Sequence, residues 1–152
     1  MKTMMNLIFA LRRLYWWIFR PKTRGVRAIA IDQDGKVLLV RHSYGSGWYL
    51  PGGRVKRKEE DERALRRELH EETGVSIGTD MKVLGQYRNE REHKKDTIIV
   101  FIVDVISGSK SSDVEIRDRG FFSLDALPED ISPGTKRRIE EWQQKRIQTT
   151  DW

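Results

Sequence analysis

Residues 97–105, TIIVFIVDV, place apolar side chains at consecutive positions, with Thr97 and Asp104 the polar exceptions. Side chains of a strand alternate between two faces, so a run of this kind reads as a strand buried on both. Its sheet needs cover on each side, which restricts the chain to layered folds. Two stretches can supply that cover. A polar, helix-compatible segment spans about residues 59–73 and ends at Gly74, a left-handed cap. Ser132 and Pro133, a cap and a first-turn residue, open a second helix reaching about residue 147.

The remaining elements are strands. VRAIAID and KVLLVRH, residues 26–32 and 36–42, flank an Asp34-Gly35 hairpin signal. WYLP then leads into Gly52 and Gly53. MKVLGQYRN, residues 81–89, and RGFFSL, residues 119–124, complete the set, with SGSKSSD, residues 107–113, as a loop ahead of RGFFSL. The fold class expected is α/β, an αβ sandwich around a mixed sheet.

At 152 residues the chain fits one ordinary domain. It has no cysteine, which excludes disulfides, thiolate nucleophiles and Cys-based zinc sites. His42, His70 and His93 are too far apart to form a ligand pair. Lys and Arg number 29 against 23 Asp and Glu, a net charge of +6 that favours anionic partners. The segment 1–22, MKTMMNLIFALRRLYWWIFRPK, is the most apolar, but Arg12 and Arg13 break its run, so it is expected not to span a bilayer. It also lacks a cleavage site of the signal-peptide type. It reads as a separate N-terminal helix ahead of a domain of residues 23–152. Its role is open between packing on its own domain, a homodimer contact, and peripheral membrane contact through residues 1–20. The expected location is cytoplasmic, with that peripheral contact as the alternative.

The stretch RRELHEETGV, residues 66–75, crowds Glu68, Glu71 and Glu72 onto a helix. At 100° per residue, Glu71 lies about 60° to one side of Glu68 and Glu72 about 40° to the other. All three border the apolar stripe of Leu65 and Leu69, while Arg63, Arg66 and His70 face the opposite way. Such like-charge pairs destabilise a helix by roughly 0.2–0.5 kcal/mol each. Two readings follow: the glutamates hold a hard divalent cation, or they form a solvated acidic face balanced by arginines.

The longer pattern separates these readings. From Gly53 to Val75 the chain reads GRVKRKEEDERALRRELHEETGV, in which Gly53, Glu59, Arg67, Glu68, Leu69, Glu71, Glu72, Gly74 and Val75 stand at the defined positions of a known box. This resembles the signature of the Nudix hydrolase family, and the surrounding strands extend the resemblance to about residues 25–147. A chance match is on the order of 10⁻⁹ per frame at ordinary residue frequencies. The resemblance implies a Nudix-type α/β/α sandwich and metal-dependent hydrolysis of a pyrophosphate bond in a nucleoside di- or triphosphate or a related nucleoside diphosphate derivative. Mg²⁺ is the implied cofactor, with Mn²⁺ as substitute. Glu68, Glu71 and Glu72 look like the metal ligands, Gly53 brings its carbonyl near the metal, and Glu68 is the candidate base. Glu59, Arg67 and Gly74 look structural. Glu115, six residues ahead of Phe121, corresponds to a further carboxylate of many relatives, a fourth ligand or alternative base. The position before Glu59 is commonly Gly in the family and is Lys58 here, so the loop path is expected to differ.

Outside the box, Arg27 and Arg41 are candidate phosphate contacts, with surface pairing as the alternative. Trp48 and Tyr44 can stack on a base, or Trp48 can pack. Gly47 and Gly52 have P-loop separation, but Gly53-Arg54 follows where Lys-Ser/Thr is required. YGSGW lacks the nucleophile-elbow order. RNEREHKKD, residues 88–96, reads as a solvated hairpin loop or a nucleic-acid contact. The partner expected is a small-molecule nucleotide. The alternatives are a 5′-triphosphorylated RNA end as substrate and a catalytically weak nucleotide-binding module.

Overall fold

A computed structural model describes residues 22–89, 95–108, 114–146 and 148–152. The expected N-terminal helix, with its membrane and dimer readings, and His93 lie outside the described residues. The elements are β1 (Lys22–Ile31), β2 (Val37–His42), α1 (Asp61–Thr73), β3 (Val75–Asn89), β4 (Lys95–Gly108), β5 (Ile116–Phe122) and α2 (Pro133–Trp142). They form one mixed sheet in the order β3-β4-β1-β2-β5, in which only β1 and β4 run parallel.

The apolar run in β4 divides as its periodicity requires. Ile99, Phe101 and Val103 join Ala64, Leu65 and Leu69 of α1 in one core, while Ile98 and Val100 join Ile139 of α2 in the other. Leu65 and Leu69 are fully buried, and each contributes about 1.5–3 kcal/mol by leaving water. The β1–β2 hairpin turns at Gly35, φ +75°, with Asp32 Oδ1 accepting the amides of Asp34 and Lys36 at 3.0 and 2.8 Å. Among the described residues no helix is long and apolar enough to cross a membrane.

Two boundaries differ from the sequence reading. β3 starts at Val75, immediately after the left-handed Gly74, because β4 continues to Gly108 and pairs with it there. α2 ends at Trp142, short of the expected residue 147, and Gln144 takes φ +58°. The cause is a polar network in the core. Arg138 and Glu141, 0% and 1% exposed, pair at 2.9 Å. Glu141 also accepts from the Tyr87 hydroxyl at 3.0 Å and the Thr149 amide at 3.1 Å, and Arg138 Nη1 donates to the Asp151 carbonyl at 2.8 Å. A buried ion pair needs partners for its remaining donors and acceptors, and the chain folds back to provide most of them, Arg138 Nε staying buried without a hydrogen-bond partner among the described residues. Its tail then pairs with β3 through Arg88 N to Thr150 O and Trp152 N to Arg88 O, at 2.7 and 2.9 Å. Burial first, then the bond to Glu141, pushes the Tyr87 phenol up to about 12, so this tyrosine is structural.

Replacing Glu141 with Ala leaves Arg138 charged and unpaired in the core, and is expected to lower the free energy of unfolding by about 3–5 kcal/mol in chemical denaturation. A loss below about 1 kcal/mol would contradict the role given to the pair.

Candidate active site

The box is built from the loop after β2 and from α1. Residues 51–55 run beside the first half of β1, with Ala28 N to Pro51 O, Val26 N to Gly53 O and Val55 N to Arg24 O each at 2.9 Å. This pairing carries Gly52 and Gly53 past α1. Gly52 has φ +137°, and a Cβ there would meet the Val26 carbonyl oxygen at 2.2 Å, so a side chain is excluded twice over. Its amide donates to Glu72 Oε2 at 2.8 Å. A Cβ on Gly53 would lie 2.2 Å from Glu68 Oε2, which means that the Glu68 carboxylate rests directly against this glycine. The Gly53 carbonyl itself is turned to β1, accepting Val26 N at 2.9 Å and Arg27 Nη1 at 3.4 Å. Gly53, expected to bring its carbonyl near the metal, also supplies room for the Glu68 carboxylate.

One side chain organises the rest. Arg67 Nε and Nη2 donate to both Glu59 oxygens at 2.9 Å, Nη1 to Glu68 at 2.6 Å and Glu71 at 3.3 Å, and Nη2 also to the Arg54 carbonyl at 3.0 Å. All five guanidinium donors are thereby engaged. The bidentate bond from Arg67 holds the Glu59 carboxyl down at about 2, helped by the Lys56 amide. Glu59 raises the Arg67 pKa further in return. Glu59 and Lys56 also close a turn, Glu59 N to Lys56 O at 3.0 Å and Lys56 N to Glu59 Oε2 at 2.9 Å. Lys58 takes φ +64° within it. Lys58 therefore holds the left-handed conformation that glycine adopts freely, at a cost of about 1–2 kcal/mol for a residue with a Cβ.

The three glutamates share one face but not one environment. Glu72 is 8% exposed, the Glu68 side chain 16% and that of Glu71 54%. Arg66, on the far side, anchors α1 to the carbonyls of Ile77 and Gly78 at 2.9 and 2.8 Å. With Glu68 and Glu71 bonded to Arg67 and Glu72 to Gly52, no three acidic or histidine side chains among the described residues converge as a ligand group. Donor type and place nevertheless fit a hard divalent cation. All the groups are oxygen donors, and the side-chain-free edge at Gly53 leaves the Glu68 carboxylate room beside the backbone.

Arg27 is half-buried beside this group; burial pulls its pKa down, and the charges of Glu72 and Glu68 oppose that fall. Glu115 lies where the β2–β5 ladder ends at His42 and Ile116, its carbonyl accepting the Ser43 amide at 2.9 Å. That is the end of the sheet at which β1 begins. Arg41 pairs with Asp130 at 2.6 Å and covers the Trp48 ring at 4.8 Å. Trp48 is 7% exposed and meets the Phe122 ring edge-on, so it is engaged in packing. Tyr44 is the exposed aromatic of this region, stacked on His42 at 5.1 Å. The sequence reading missed Thr135, whose buried hydroxyl accepts the Leu50 amide at 3.2 Å and thereby steadies the chain entering Pro51 and Gly52. A Ser132-x-x-Thr135 helix start was visible, but its reach to Leu50 was not. A cleft of about 400 Å³ bounded by Asp34, Val75, Ile106, Arg119 and Phe121 lies at the opposite end of the sheet, away from the carboxylates.

Because the folded-state pKa of Glu59, about 2, is below its ordinary 4.5, its contribution is complete above about pH 4.5 and disappears as pH falls towards 2. Glu59→Gln is therefore expected to flatten the decline of stability across that window, measured by urea unfolding at stepped pH. An unchanged slope would contradict the clamp.

The comparisons with known proteins agree with this geometry. The NUDIX domain family matches residues 21–143. An ADP-ribose pyrophosphatase of Methanocaldococcus jannaschii is 37% identical over 103 residues, 64% of this chain and 60% of that protein. A Bacillus subtilis protein provisionally named an 8-oxo-dGTP diphosphatase is 31% identical over 121 residues, 79% of each chain. The crystal structure of a MutT NUDIX hydrolase from Burkholderia pseudomallei superposes with a TM-score of 0.69 at 26% identity, covering 80% of this chain and 98% of that one. With the box intact and the domain matched from end to end, the chain belongs to the Nudix hydrolase family.

Proposed function

We propose that this protein hydrolyses the pyrophosphate bond of a nucleoside di- or triphosphate or a related nucleoside diphosphate derivative, using Mg²⁺ or, in its place, Mn²⁺. The observation that carries this reading is the convergence of Glu68 and Glu72 of α1 on Gly53 and Gly52, with Glu71 one turn from Glu68 and linked to it through Arg67. The names of the two relatives point to different nucleotides, and what those names share is a diphosphate linkage.

A diphosphate repels an incoming hydroxide, so the reaction needs its charge offset and its nucleophile activated. Glu68, Glu71 and Glu72 would hold the divalent cation, which when bound neutralises the diphosphate and lowers the pKa of water. Glu68, pressed against Gly53 and oriented by Arg67 at 2.6 Å, is the candidate base that takes the proton from water. Glu115 is the alternative base from the neighbouring sheet end. Arg27 of β1, which feels the charges of Glu72 and Glu68, is the candidate contact for a phosphate oxygen once they are neutralised. In this reading residues 23–152 carry the activity and the segment 1–22 is an addition to it.

A screen of nucleotides with Mg²⁺ or Mn²⁺, read by released phosphate or pyrophosphate, identifies the substrate. On that substrate Glu68→Gln and Glu72→Gln are each expected to lower kcat by at least ~10²-fold with the unfolding midpoint preserved; full activity in both would refute the assignment. Gly53→Ala displaces the flexible Glu68 carboxylate rather than backbone. It is expected to retain the fold and lose about 10²-fold in kcat/KM, since misplacement of about 1 Å costs that much.

A further inference from the structure

The first turn of α2 contains a buried glycine, Gly134, where a helix favours alanine. The Trp152 indole accounts for it. A Cβ on Gly134 would lie 2.7 Å from Nε1 of that ring and 3.1 Å from Cε2, so the ring rests directly on the helix backbone. A second glycine makes the same kind of room. A Cβ on Gly85 of β3 would collide with the side-chain amide of Gln148, which donates to the Leu84 carbonyl at 2.8 Å. Two glycines far apart in the chain are thus shaped to one segment, residues 148–152.

The indole is itself firmly held. The Trp152 amide donates to the Arg88 carbonyl at 2.9 Å, Arg137 Nη2 donates to its main-chain oxygen, and its ring meets Tyr87 edge-on at 6.1 Å. The Arg138 guanidinium lies 5.7 Å from the centre of the same ring. Trp152 therefore backs the first turn of α2 as a rigid, flat support.

On its other side that turn holds the chain entering the glycine loop. Trp48 N donates to Asp130 O at 3.1 Å, Ser132 N to Trp48 O at 2.9 Å, and Leu50 N to the fully buried Thr135 hydroxyl at 3.2 Å. The planar peptide between Pro51 and Gly52 follows. Its carbonyl accepts Ala28 N at 2.9 Å, and its N–H donates to Glu72 Oε2 at 2.8 Å. β1 thus fixes one edge of this peptide, while α2 fixes the residue that leads into it. The aim of the Gly52 amide at Glu72 depends on both supports.

We propose that Trp152 is a positioning residue for the cation site: by backing Gly134 it holds Thr135 against Leu50, and so keeps the Gly52 amide directed at Glu72. This rests on the proposed cation-dependent chemistry and extends its supporting structure to the α2 side of the sheet. Partners that orient a ligating carboxylate set metal affinity as well as shape.

The test is electron paramagnetic resonance titration of Mn²⁺ into the full chain and into Trp152→Ala, Gly134→Ala, Thr135→Val and Trp152→Ala/Thr135→Val, each below its unfolding midpoint. Trp152→Ala and Gly134→Ala are each expected to weaken Mn²⁺ binding by at least ~3-fold. The double variant is expected to bind no more weakly than Thr135→Val alone, because both substitutions release the same contact. A merely structural Trp152 would lower the unfolding midpoint and leave the Mn²⁺ affinity of the folded protein unchanged. Should Trp152→Ala fail to fold, Gly134→Ala decides alone, since alanine in a helix otherwise favours folding. Unchanged affinity in either folded single variant, or weakening in the double variant that multiplies the separate effects, overturns the proposal. A Mn²⁺ site that is present but indifferent to Trp152 removes the positioning role only; no Mn²⁺ site in the unsubstituted chain removes the cation reading and the proposal with it.

Discussion

The Arg67 guanidinium is the interaction on which the site depends. It spends all five donors on Glu59, Glu68, Glu71 and the Arg54 carbonyl, and so fastens the loop to the helix that carries the carboxylates. A lysine could not reproduce this, because its three donors diverge from a single nitrogen while the guanidinium holds five in one plane. The same bonds offset the repulsion among neighbouring glutamates on α1. The balancing arginine that the solvated-face reading called for is thus present, within an arrangement whose oxygen donors also fit a divalent cation.

Around this clamp the sheet acts as the frame. α1 is held to one face by Ala64, Leu65 and Leu69 and to β3 by Arg66, while α2 closes the other face and, through Thr135, steadies the segment leading to Gly52. The carboxylate helix and the glycine loop therefore meet because each is anchored to β1 or its neighbours, not because they are adjacent in sequence. Rigid support of this kind keeps a site within the few tenths of an ångström that catalysis requires.

Much of this was legible in the residues because it is local or periodic. The run 97–105 required two covering layers, Asp34-Gly35 required a hairpin, Gly74 required the end of α1, and all three appear as expected. What was not legible depends on contacts far apart in the chain. Nothing in the sequence near residue 142 shows that Arg138 and Glu141 enter the core and draw in residues 148–152. For Trp48 and Arg41 the sequence left packing and surface pairing open beside a ligand contact, and only the fold brings Phe122 and Asp130 to them. Lys58 looked like an obstacle to the loop path, yet the closed turn around it holds a lysine in a glycine conformation.

The central claim is that the glutamates of α1, gathered at Gly52 and Gly53, are there to bind a divalent cation. Electron paramagnetic resonance titration of Mn²⁺ into the full chain and into Glu71→Gln/Glu72→Gln tests it without reference to any substrate. The account predicts a saturable site in the unsubstituted chain that Mg²⁺ displaces and that weakens by at least ~10-fold in the variant. Equal Mn²⁺ binding by the two proteins, or none by either, would contradict it.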